Sequence, residues 1–170
     1  MTNPFTTRPE TLADRAAVAT VLSRTYLADG AAAIALISAL REMPGFMPEL
    51  SLVGTIGNKV SGFATLTKVA VGGKPGAALL LSPIAIDTSN PDATPTHWVE
   101  AVLAEVSRQG YRYVLVQGEP AVYLPCGFVP AKTIGVFDGN SSDSHSQLLV
   151  KDLLPATPAT LKGEVEYPHA

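Results

Sequence analysis

Apolar residues recur at helical spacing in three stretches of the chain. The first stretch follows Thr11, a suitable N-cap residue, and the second covers about Ala31–Arg41, with Met43-Pro44-Gly45 as a helix breaker behind it. The third runs from about Pro95 to Gln109, and Gly110 provides its C-terminal stop. The apolar positions of the three predicted helices are, in order, Ala17, Val18, Val21, Leu22 and Tyr26; Ile34, Ile37 and Leu40; and Trp98, Val99, Val102, Leu103 and Val106.

Extended apolar runs lie between the second and third helices. Leu50–Ile56 and Val60–Val71 flank the turn residues Gly57-Asn58-Lys59, a pattern that predicts a β-hairpin. After a second turn at Gly72–Gly76, the segment Ala77–Asp87 is apolar almost throughout, which is typical of a central strand covered on both faces. The sequence therefore predicts three neighbouring strands before the third helix.

Two more strands are predicted after the third helix, at Tyr111–Gln117 and Gln147–Leu153, with a short helical turn at Pro120–Pro125 between them. The segment Ala77–Gln117 then has the order strand, helix, strand, and such a crossover makes its two strands parallel. The other strands are expected to be antiparallel. The predicted fold class is a mixed α/β (α+β) fold with a mostly antiparallel central sheet flanked by helices.

Length and composition fit one compact domain. Of the 170 residues, 46% are hydrophobic and 16% are charged, which is normal for a protein with a sizeable core. We expect a domain over residues 1–154 and an extended tail over residues 155–170. The tail would pack on the domain or be exchanged with a second subunit in a homodimer.

Charge and cysteine content argue against several classes of protein. Twelve Lys and Arg residues stand against fifteen Asp and Glu residues, and the positive residues are scattered, unlike the basic surface of a nucleic-acid-binding protein. Cys126 is the single cysteine, which excludes an internal disulfide. Residues 1–10 lack the features of a signal peptide, and no apolar run is long enough to span a bilayer. We therefore expect a soluble, cytoplasmic protein that binds neither nucleic acid nor membrane.

Short strings stand in a consistent order along nearly the whole chain. They are Arg8-Pro9-Glu10-Thr11, Pro48-Glu49-Leu50-Ser51-Leu52-Val53, Gly57-Asn58-Lys59-Val60-Ser61-Gly62, Leu81-Ser82-Pro83-Ile84-Ala85-Ile86, Gly110-Tyr111-Arg112, Gly118-Glu119-Pro120-Ala121-Val122-Tyr123-Leu124-Pro125-Cys126-Gly127-Phe128 and Glu166-Tyr167-Pro168. Each string is weak alone, but their order and spacing together resemble the GNAT superfamily of N-acetyltransferases, and most of all its YhbS-type branch of predicted acetyltransferases.

This resemblance implies a fold in which two parallel central strands splay apart and acetyl-CoA lies in the wedge between them. The pantetheine arm would pair with the backbone of the strand before the main helix, here with Ile84, Ala85 and Ile86. Those residues are equally expected in the core of any such strand. The implied reaction is direct transfer of an acetyl group to an amine of a small molecule or a protein, with acetyl-CoA as co-substrate and no metal.

The loop that opens the main helix departs from the family pattern. The family has a Gln/Arg-x-x-Gly-x-Gly/Ala segment there, whose backbone N–H groups bind the pyrophosphate at the helix N-terminus. This chain has Asn90-Pro91-Asp92-Ala93-Thr94-Pro95-Thr96 instead, with no glycine, two prolines and an added negative charge. Thr94 is a good N-cap and Pro95 a favoured first helical residue.

The helix is thus predicted to use its own Thr94 as cap, and the donors near Thr94, Thr96 and His97 are the candidate phosphate ligands. The alternative to an enzyme is a catalytically inactive GNAT-fold binding or regulatory protein that has lost normal pyrophosphate binding. A third reading is a protein of this fold whose wedge takes another acyl donor or small ligand.

Tyr123 stands where GNAT enzymes often have a tyrosine that protonates the leaving thiolate, although a core position is the competing interpretation. Its ordinary pKa of about 10 keeps the phenol protonated at neutral pH. Glu49 and Glu119 are the candidates for the general base, and either is also consistent with a solvated surface residue.

The remaining reactive side chains do not form a recognisable site. Three histidines, His97, His145 and His169, are far apart in the sequence and predict neither a metal site nor a catalytic triad. Cys126 is interpreted as a small buried thiol and not as a nucleophile.

Overall fold

The computed structural model describes residues 2–139 and 147–167. Within these residues the helices are α1 (Arg15–Tyr26), α2 (Gly30–Glu42), α3 (Pro95–Arg108) and the single turn α4 (Pro120–Tyr123). The strands are β1 (Thr6–Pro9), β2 (Ser51–Ile56), β3 (Lys59–Val71), β4 (Lys74–Ile86), β5 (Tyr113–Gly118), β6 (Val129–Pro130), β7 (Val136–Phe137), β8 (Gln147–Asp152) and β9 (Gly163–Glu166).

The described strands form one mixed sheet with the order β1-β2-β3-β4-β5-β8-β6. Neighbouring strands on this path are antiparallel except for β4 and β5, which are parallel. The helix α3 connects this parallel pair, as the strand–helix–strand pattern predicts. The predicted fold class is therefore confirmed.

Several element boundaries differ from the sequence predictions. β1 was not predicted, because four residues are too few to show a strand period. β4 begins at Lys74 because the turn before it needs only Gly72 and Gly73, both of which have positive φ. β5 begins two residues later than predicted, since Tyr111 N–H still donates to Val106 O at the end of α3.

The segment after β8 returns to the sheet of its own chain. Its irregular first part leads to β9, which pairs antiparallel with the end of β3 through Ala70 and Glu166, and parallel with β7. Gly163 has φ +114 and lies so close to Gly72 that a Cβ at either position would overlap backbone atoms. These two glycines let the tail approach the β3–β4 turn.

The core lies on both faces of the sheet. One face is covered by α3, and all five apolar positions predicted for that helix are buried, namely Trp98, Val99, Val102, Leu103 and Val106. The other face is covered by α1 and α2 at one end and by the C-terminal strands at the other. This face is therefore covered in two separate parts.

Trp98 fixes the start of α3 against the hairpin of β2 and β3. Its indole Nε1 donates to Phe63 O over 3.2 Å, and a Cβ on Gly62 would lie 2.8 Å from the ring. Gly54 faces the same ring with even less room for a side chain. The glycines thus allow the indole to lie directly on the strands, which positions the first turn of α3.

The segment Leu12–Glu42 is long and apolar enough, by length and composition alone, to cross a membrane. It consists of α1 and α2, with 12 and 13 residues, which are separated by a turn at Leu27–Asp29. Each helix is shorter than the roughly 20 residues that span a bilayer. Val18, Val21, Leu22 and Ile37 pack against the sheet.

Candidate functional site

The parallel strands β4 and β5 pair over only two positions, Leu79 with Val114 and Leu80 with Leu115. Beyond these positions the strands separate, and a cleft of about 310 Å³ opens between them. The residues that line it are Tyr26, Ile84, Ala85, Ile86, Pro95, Trp98, Val99, Gln117, Gly118, Glu119, Val122 and Tyr123. The cleft is therefore bounded by the edge of β4, the starts of α3 and α4, and the end of α1.

Tyr123 forms the wall of this cleft opposite β4. Its side chain is buried, with its ring 5.4 Å from that of Phe128 in an edge-on arrangement. A Cβ on Gly118 would overlap the Tyr123 ring, so the ring lies directly on the β5 backbone. Burial raises the pKa of Tyr123 to about 12, with smaller contributions from Tyr26 and Cys126. The phenol is therefore protonated throughout the neutral range.

Two consecutive residues at the end of α1 bind the β4 wall. The Thr25 hydroxyl donates to Ile86 O and accepts from Ile86 N–H, both over 2.9 Å. The Tyr26 hydroxyl donates to Ile84 O over 3.0 Å. Of the residues that the family resemblance assigns to pantetheine, Ile84 and Ile86 are thus bonded to α1 side chains, whereas Ala85 pairs with Phe63 of β3.

The salt bridge between Arg24 and Asp87 anchors the same end of α1. Arg24 Nη1 lies 2.5 Å from Asp87 Oδ2, and the Asp87 side chain is almost fully buried. Burial by itself would raise the pKa of Asp87, but hydrogen bonds from Ser89 and Arg24 outweigh it and lower that pKa. Leu27 follows directly with φ +51, a strained backbone angle for a non-glycine residue. The chain thus leaves α1 sharply, directly after the residues that bind Asp87 and the β4 wall.

The helical period of the sequence predicts Tyr26 only as part of the apolar face of its helix and does not single out Arg24 or Thr25. A polar Arg-Thr-Tyr run at the end of an amphipathic helix is the one local signal. It does not indicate a partner strand some 60 positions away in the sequence.

The start of α3 is capped by the chain itself, as predicted. The Thr94 hydroxyl accepts from His97 N–H over 3.2 Å, and Thr94 O accepts the Trp98 N–H. Pro95 has no N–H to offer. Among the first three residues of α3, Thr96 is therefore the one whose backbone N–H exists and is not bonded to Thr94.

His97 lies beside this cap. Its carbonyl accepts from Asn3 Nδ2 over 2.8 Å, and its buried Nδ1 atom has no hydrogen-bond partner among residues 2–139 and 147–167. The Asn90 side chain accepts from Asp92 N–H over 3.0 Å, so the preceding loop closes on itself. The loop therefore directs few backbone donors outward.

The two candidate bases lie in different places. Glu119 is exposed and lines the cleft. Glu49 is also exposed, but its carbonyl accepts from Gln109 Nε2, just past the C-terminal end of α3. Because α3 rises about 1.5 Å per residue, that end is about 20 Å from the cleft. The structure thus separates Glu49 from Tyr123, and Glu49 is too far away to take a proton in the cleft.

The other reactive groups are distributed as follows. Cys126 is buried, and burial raises the pKa of its thiol to about 11, which agrees with its interpretation as a non-nucleophilic core residue. His145, His169 and Pro168 lie outside the described residues. Across the described part of the chain, no three His, Cys, Asp or Glu side chains converge in a way that could hold a metal ion.

Solved structures of other proteins resemble this chain over nearly its whole length. No protein-family model and no curated protein matches the sequence. Among solved structures, the GNAT family N-acetyltransferase YhbS from Escherichia coli, in complex with CoA, is 25% identical with a TM-score of 0.79, over 99% of this chain and 92% of that one. A GNAT family acetyltransferase from Brucella melitensis, in complex with acetyl-CoA, is 18% identical with a TM-score of 0.71, over 98% of this chain and 97% of that one.

A more distant match shares the fold alone. The ribosomal-protein-S18-alanine N-acetyltransferase from Escherichia coli is 14% identical with a TM-score of 0.55, over 86% of this chain and 90% of that one. The separated parallel pair, the helix that connects it and the similarity over nearly the whole chain agree with one another. The chain has the fold of the GNAT N-acetyltransferases and resembles the YhbS-type members of that superfamily.

Proposed function

We propose that the protein is an N-acetyltransferase that transfers an acetyl group directly from acetyl-CoA to an amine. The observation that carries this proposal is the cleft between β4 and β5, which has on one side the part of the β4 edge that no longer pairs with β5 and on the other the protonated, buried Tyr123. Two proteins of similar structure bind CoA or acetyl-CoA, which supports the same co-substrate here.

In this reaction the amine nitrogen attacks the thioester carbonyl carbon, and the carbon–sulfur bond then breaks to release a thiolate. Tyr123 donates a hydrogen bond to that sulfur as its charge develops. Because the pKa of Tyr123 is about 12 and an ordinary thiol has a pKa of about 8.5, complete transfer of the phenol proton is unfavourable. The thiolate therefore leaves as the anion and regains its proton by exchange with the buffered solvent after release, and Tyr123 acts chiefly as a hydrogen-bond donor.

The attacking nitrogen must lose a proton before or during the reaction. Glu119 is the carboxylate that borders the cleft, and it can accept this proton directly or through one water molecule. We therefore assign the base to Glu119 and not to Glu49.

Acetyl-CoA would be held mainly through its pantetheine arm. The Ile84 and Ile86 backbone groups are the partners for this arm, and binding requires them to exchange their bonds with Tyr26 and Thr25. The pyrophosphate would meet the start of α3, where the Thr96 N–H and the helix dipole remain while the His97 N–H is taken by Thr94.

A second candidate function has its own support. A non-catalytic GNAT-fold binding or regulatory protein is favoured by the α1 side chains on the β4 edge and by the self-capped start of α3. Both features occupy groups that acetyl-CoA would need.

Calorimetric titration with acetyl-CoA and a thiol-release assay with a panel of amines separate the two functions. We expect measurable binding, and turnover that falls roughly 10- to 100-fold in Tyr123→Phe while the Kd for acetyl-CoA is unchanged. Tyr111→Phe is the matched control, because Tyr111 does not line the cleft. No binding at millimolar acetyl-CoA would favour the non-catalytic function.

A further inference from the structure

A cavity of about 310 Å³ lies between the C-terminal tail and the β3–β4 hairpin. It is lined by the hairpin on one side, by residues 160–162 of the tail on the other, and by Tyr113 at the start of β5. We call it the tail cavity. β4 runs from Ala77 at this cavity to Ile84 at the cleft, which is roughly 20 Å at about 3.3 Å per residue. The tail cavity is therefore separate from the β4–β5 cleft.

The tail passes over this cavity as an irregular segment that is held by polar contacts. Arg112 Nη2 donates to Thr157 O over 2.6 Å where the segment begins. The Thr160 N–H donates to the Tyr113 hydroxyl oxygen over 3.0 Å, and β9 begins at Gly163. The tail is thus attached before, at and after the cavity, and the space below it stays open.

The tail cavity lies in a region of positive charge. Lys74 of the hairpin and Lys162 of the tail line it from two sides, and neither forms an ion pair with a carboxylate of residues 2–139 and 147–167. Lys68 adds a third positive charge nearby, since its side chain lies beside Gly76. Among the described residues, the cavity wall contains no Asp or Glu. The potential here is therefore positive, although the chain has a net charge of −3.

The acidic residues of β9 do not offset this charge inside the cavity. Side chains alternate between the two faces of a strand, so Glu164 and Glu166 point away from the face of Val165. Val165 packs in the same core cluster as Tyr113 and Leu161, which line the cavity. The two carboxylates are therefore exposed on the opposite side of β9.

The Tyr113 hydroxyl supplies a hydrogen-bond donor inside the cavity. Tyr113 is 6% exposed, and its oxygen accepts the Thr160 N–H, but its hydrogen is given to no acceptor in the described part of the chain. A buried hydroxyl hydrogen is normally bonded to protein, water or a ligand. The hydroxyl of Thr160 adds a second donor at the rim. The side chains of the cavity thus offer ammonium and hydroxyl donors to an acceptor.

We propose that the tail cavity binds a small molecule through a phosphate monoester group. Such a group carries a charge of about −1.5 to −2 at neutral pH and has three acceptor oxygens, which match two lysines on opposite sides and the Tyr113 hydroxyl. A carboxylate carries one charge and two oxygens in one plane, so it satisfies fewer of these donors. Val71 and Ala77 provide an apolar surface for the carbon chain of the ester. This site does not depend on the proposed acetyl transfer.

Titration of ¹⁵N-labelled protein with n-propyl phosphate, at slightly alkaline pH and constant ionic strength, tests the site. The Thr160 backbone N–H is the local reporter, because a ligand that accepts the Tyr113 hydrogen alters the hydroxyl to which this N–H is bonded. We expect its signal to shift in a saturable manner. n-Propyl sulfate and butyrate, which carry a single charge, should bind roughly tenfold more weakly. Added NaCl should weaken the binding of n-propyl phosphate.

Lys74→Gln and Lys162→Gln should each raise the Kd for n-propyl phosphate roughly fivefold, since each removes one charge at an exposed position. Lys59→Gln is the matched control, because Lys59 is an exposed lysine at the other end of β3, and it should leave this Kd unchanged. Tyr113→Phe keeps both charges and removes the buried donor, so it should also raise the Kd. Urea unfolding of each variant checks that the fold is retained.

Equal Kd values for wild type, Lys74→Gln and Lys162→Gln, or binding of butyrate as tight as that of n-propyl phosphate, would overturn the proposal. Inorganic phosphate that binds as tightly as n-propyl phosphate would overturn the assignment to an ester. A shift of the Thr96 N–H with an unmoved Thr160 N–H would place the phosphate at the start of α3 and reject the tail cavity. The titration needs no acetyl-CoA, so saturable binding at Thr160 supports the tail cavity whether or not the protein transfers acetyl groups.

Discussion

Thr25→Val should make the protein bind acetyl-CoA more tightly. In the folded chain the Thr25 hydroxyl forms two hydrogen bonds with the Ile86 backbone, one as donor and one as acceptor. Valine has nearly the same shape and cannot form either bond. The Ile86 N–H and C=O groups are then available to pantetheine without displacement of a protein side chain.

The expected size of the effect follows from those two bonds. Each contributes about 0.5–1.5 kcal/mol net, and the lower half of that range applies because Thr25 is only partly buried beside an open cleft. The free energy of unfolding should therefore fall by about 1–2 kcal/mol in the absence of ligand. The same free energy no longer opposes acetyl-CoA, so its Kd should fall by about 5- to 30-fold.

Calorimetric titration with acetyl-CoA and urea unfolding without it measure the two quantities. Thr20→Val is the matched control, since Thr20 is an exposed threonine of the same helix whose hydroxyl donates to Ala16 O over 3.2 Å. It should change stability slightly and the Kd not at all. A Kd for Thr25→Val equal to that of wild type would refute the exchange of bonds at Ile86, and a higher Kd would mean that Thr25 contacts the ligand.

Three further predictions concern the loop before α3, the cleft wall and the N-terminal ion pair. The Kd for acetyl-pantetheine should be within about tenfold of the Kd for acetyl-CoA, because the Thr94 cap leaves few donors for phosphate. A much larger ratio of the two Kd values, measured by calorimetry, would contradict this. Gly118→Ala should lower the free energy of unfolding in urea by about 1–3 kcal/mol, because its methyl group displaces the Tyr123 ring, and turnover should fall as well. An unchanged free energy of unfolding and unchanged turnover would refute the contact. The hydrogen bond from Arg8 lowers the pKa of Asp14, so the contribution of Asp14 to the free energy of unfolding is present above pH about 4 and is lost as pH falls further. Asp14→Asn should therefore flatten the pH dependence of the free energy of unfolding between pH 5 and pH 3. An unaltered dependence on pH would argue against the ion pair.

The helices were the most predictable part of the fold, and α3 shows why. Its apolar residues follow the helical period, and Thr94 and Pro95 begin the helix through contacts within a few residues of each other. The hairpin of β2 and β3 was equally accessible, because its turn at Gly57 is local. β1 and β9 were not predicted, since each is four residues long and is stabilised by pairing with a distant strand.

In the candidate site, too, some residues could be predicted from the sequence and others could not. The start of α3 and the position of Tyr123 after β5 followed from local patterns and from the family resemblance. Tyr26 and, in the tail cavity, Tyr113 and Thr160 did not, because their roles depend on which distant backbone or side chain each one meets. Glu49 belongs to a string that matches the family, yet it lies at the far end of α3 from the cleft.

The sequence by itself therefore determined the helices, the hairpin, the crossover that makes β4 and β5 parallel, and the self-capped start of α3. Each of these depends on residue period, turn chemistry or a cap, and such interactions act over a few neighbouring positions. Only the tertiary structure decided that α1 side chains bind the β4 edge and that the tail completes a second cavity at Tyr113. Those contacts join residues roughly 50 to 60 positions apart, and only the packing of the sheet brings such residues together.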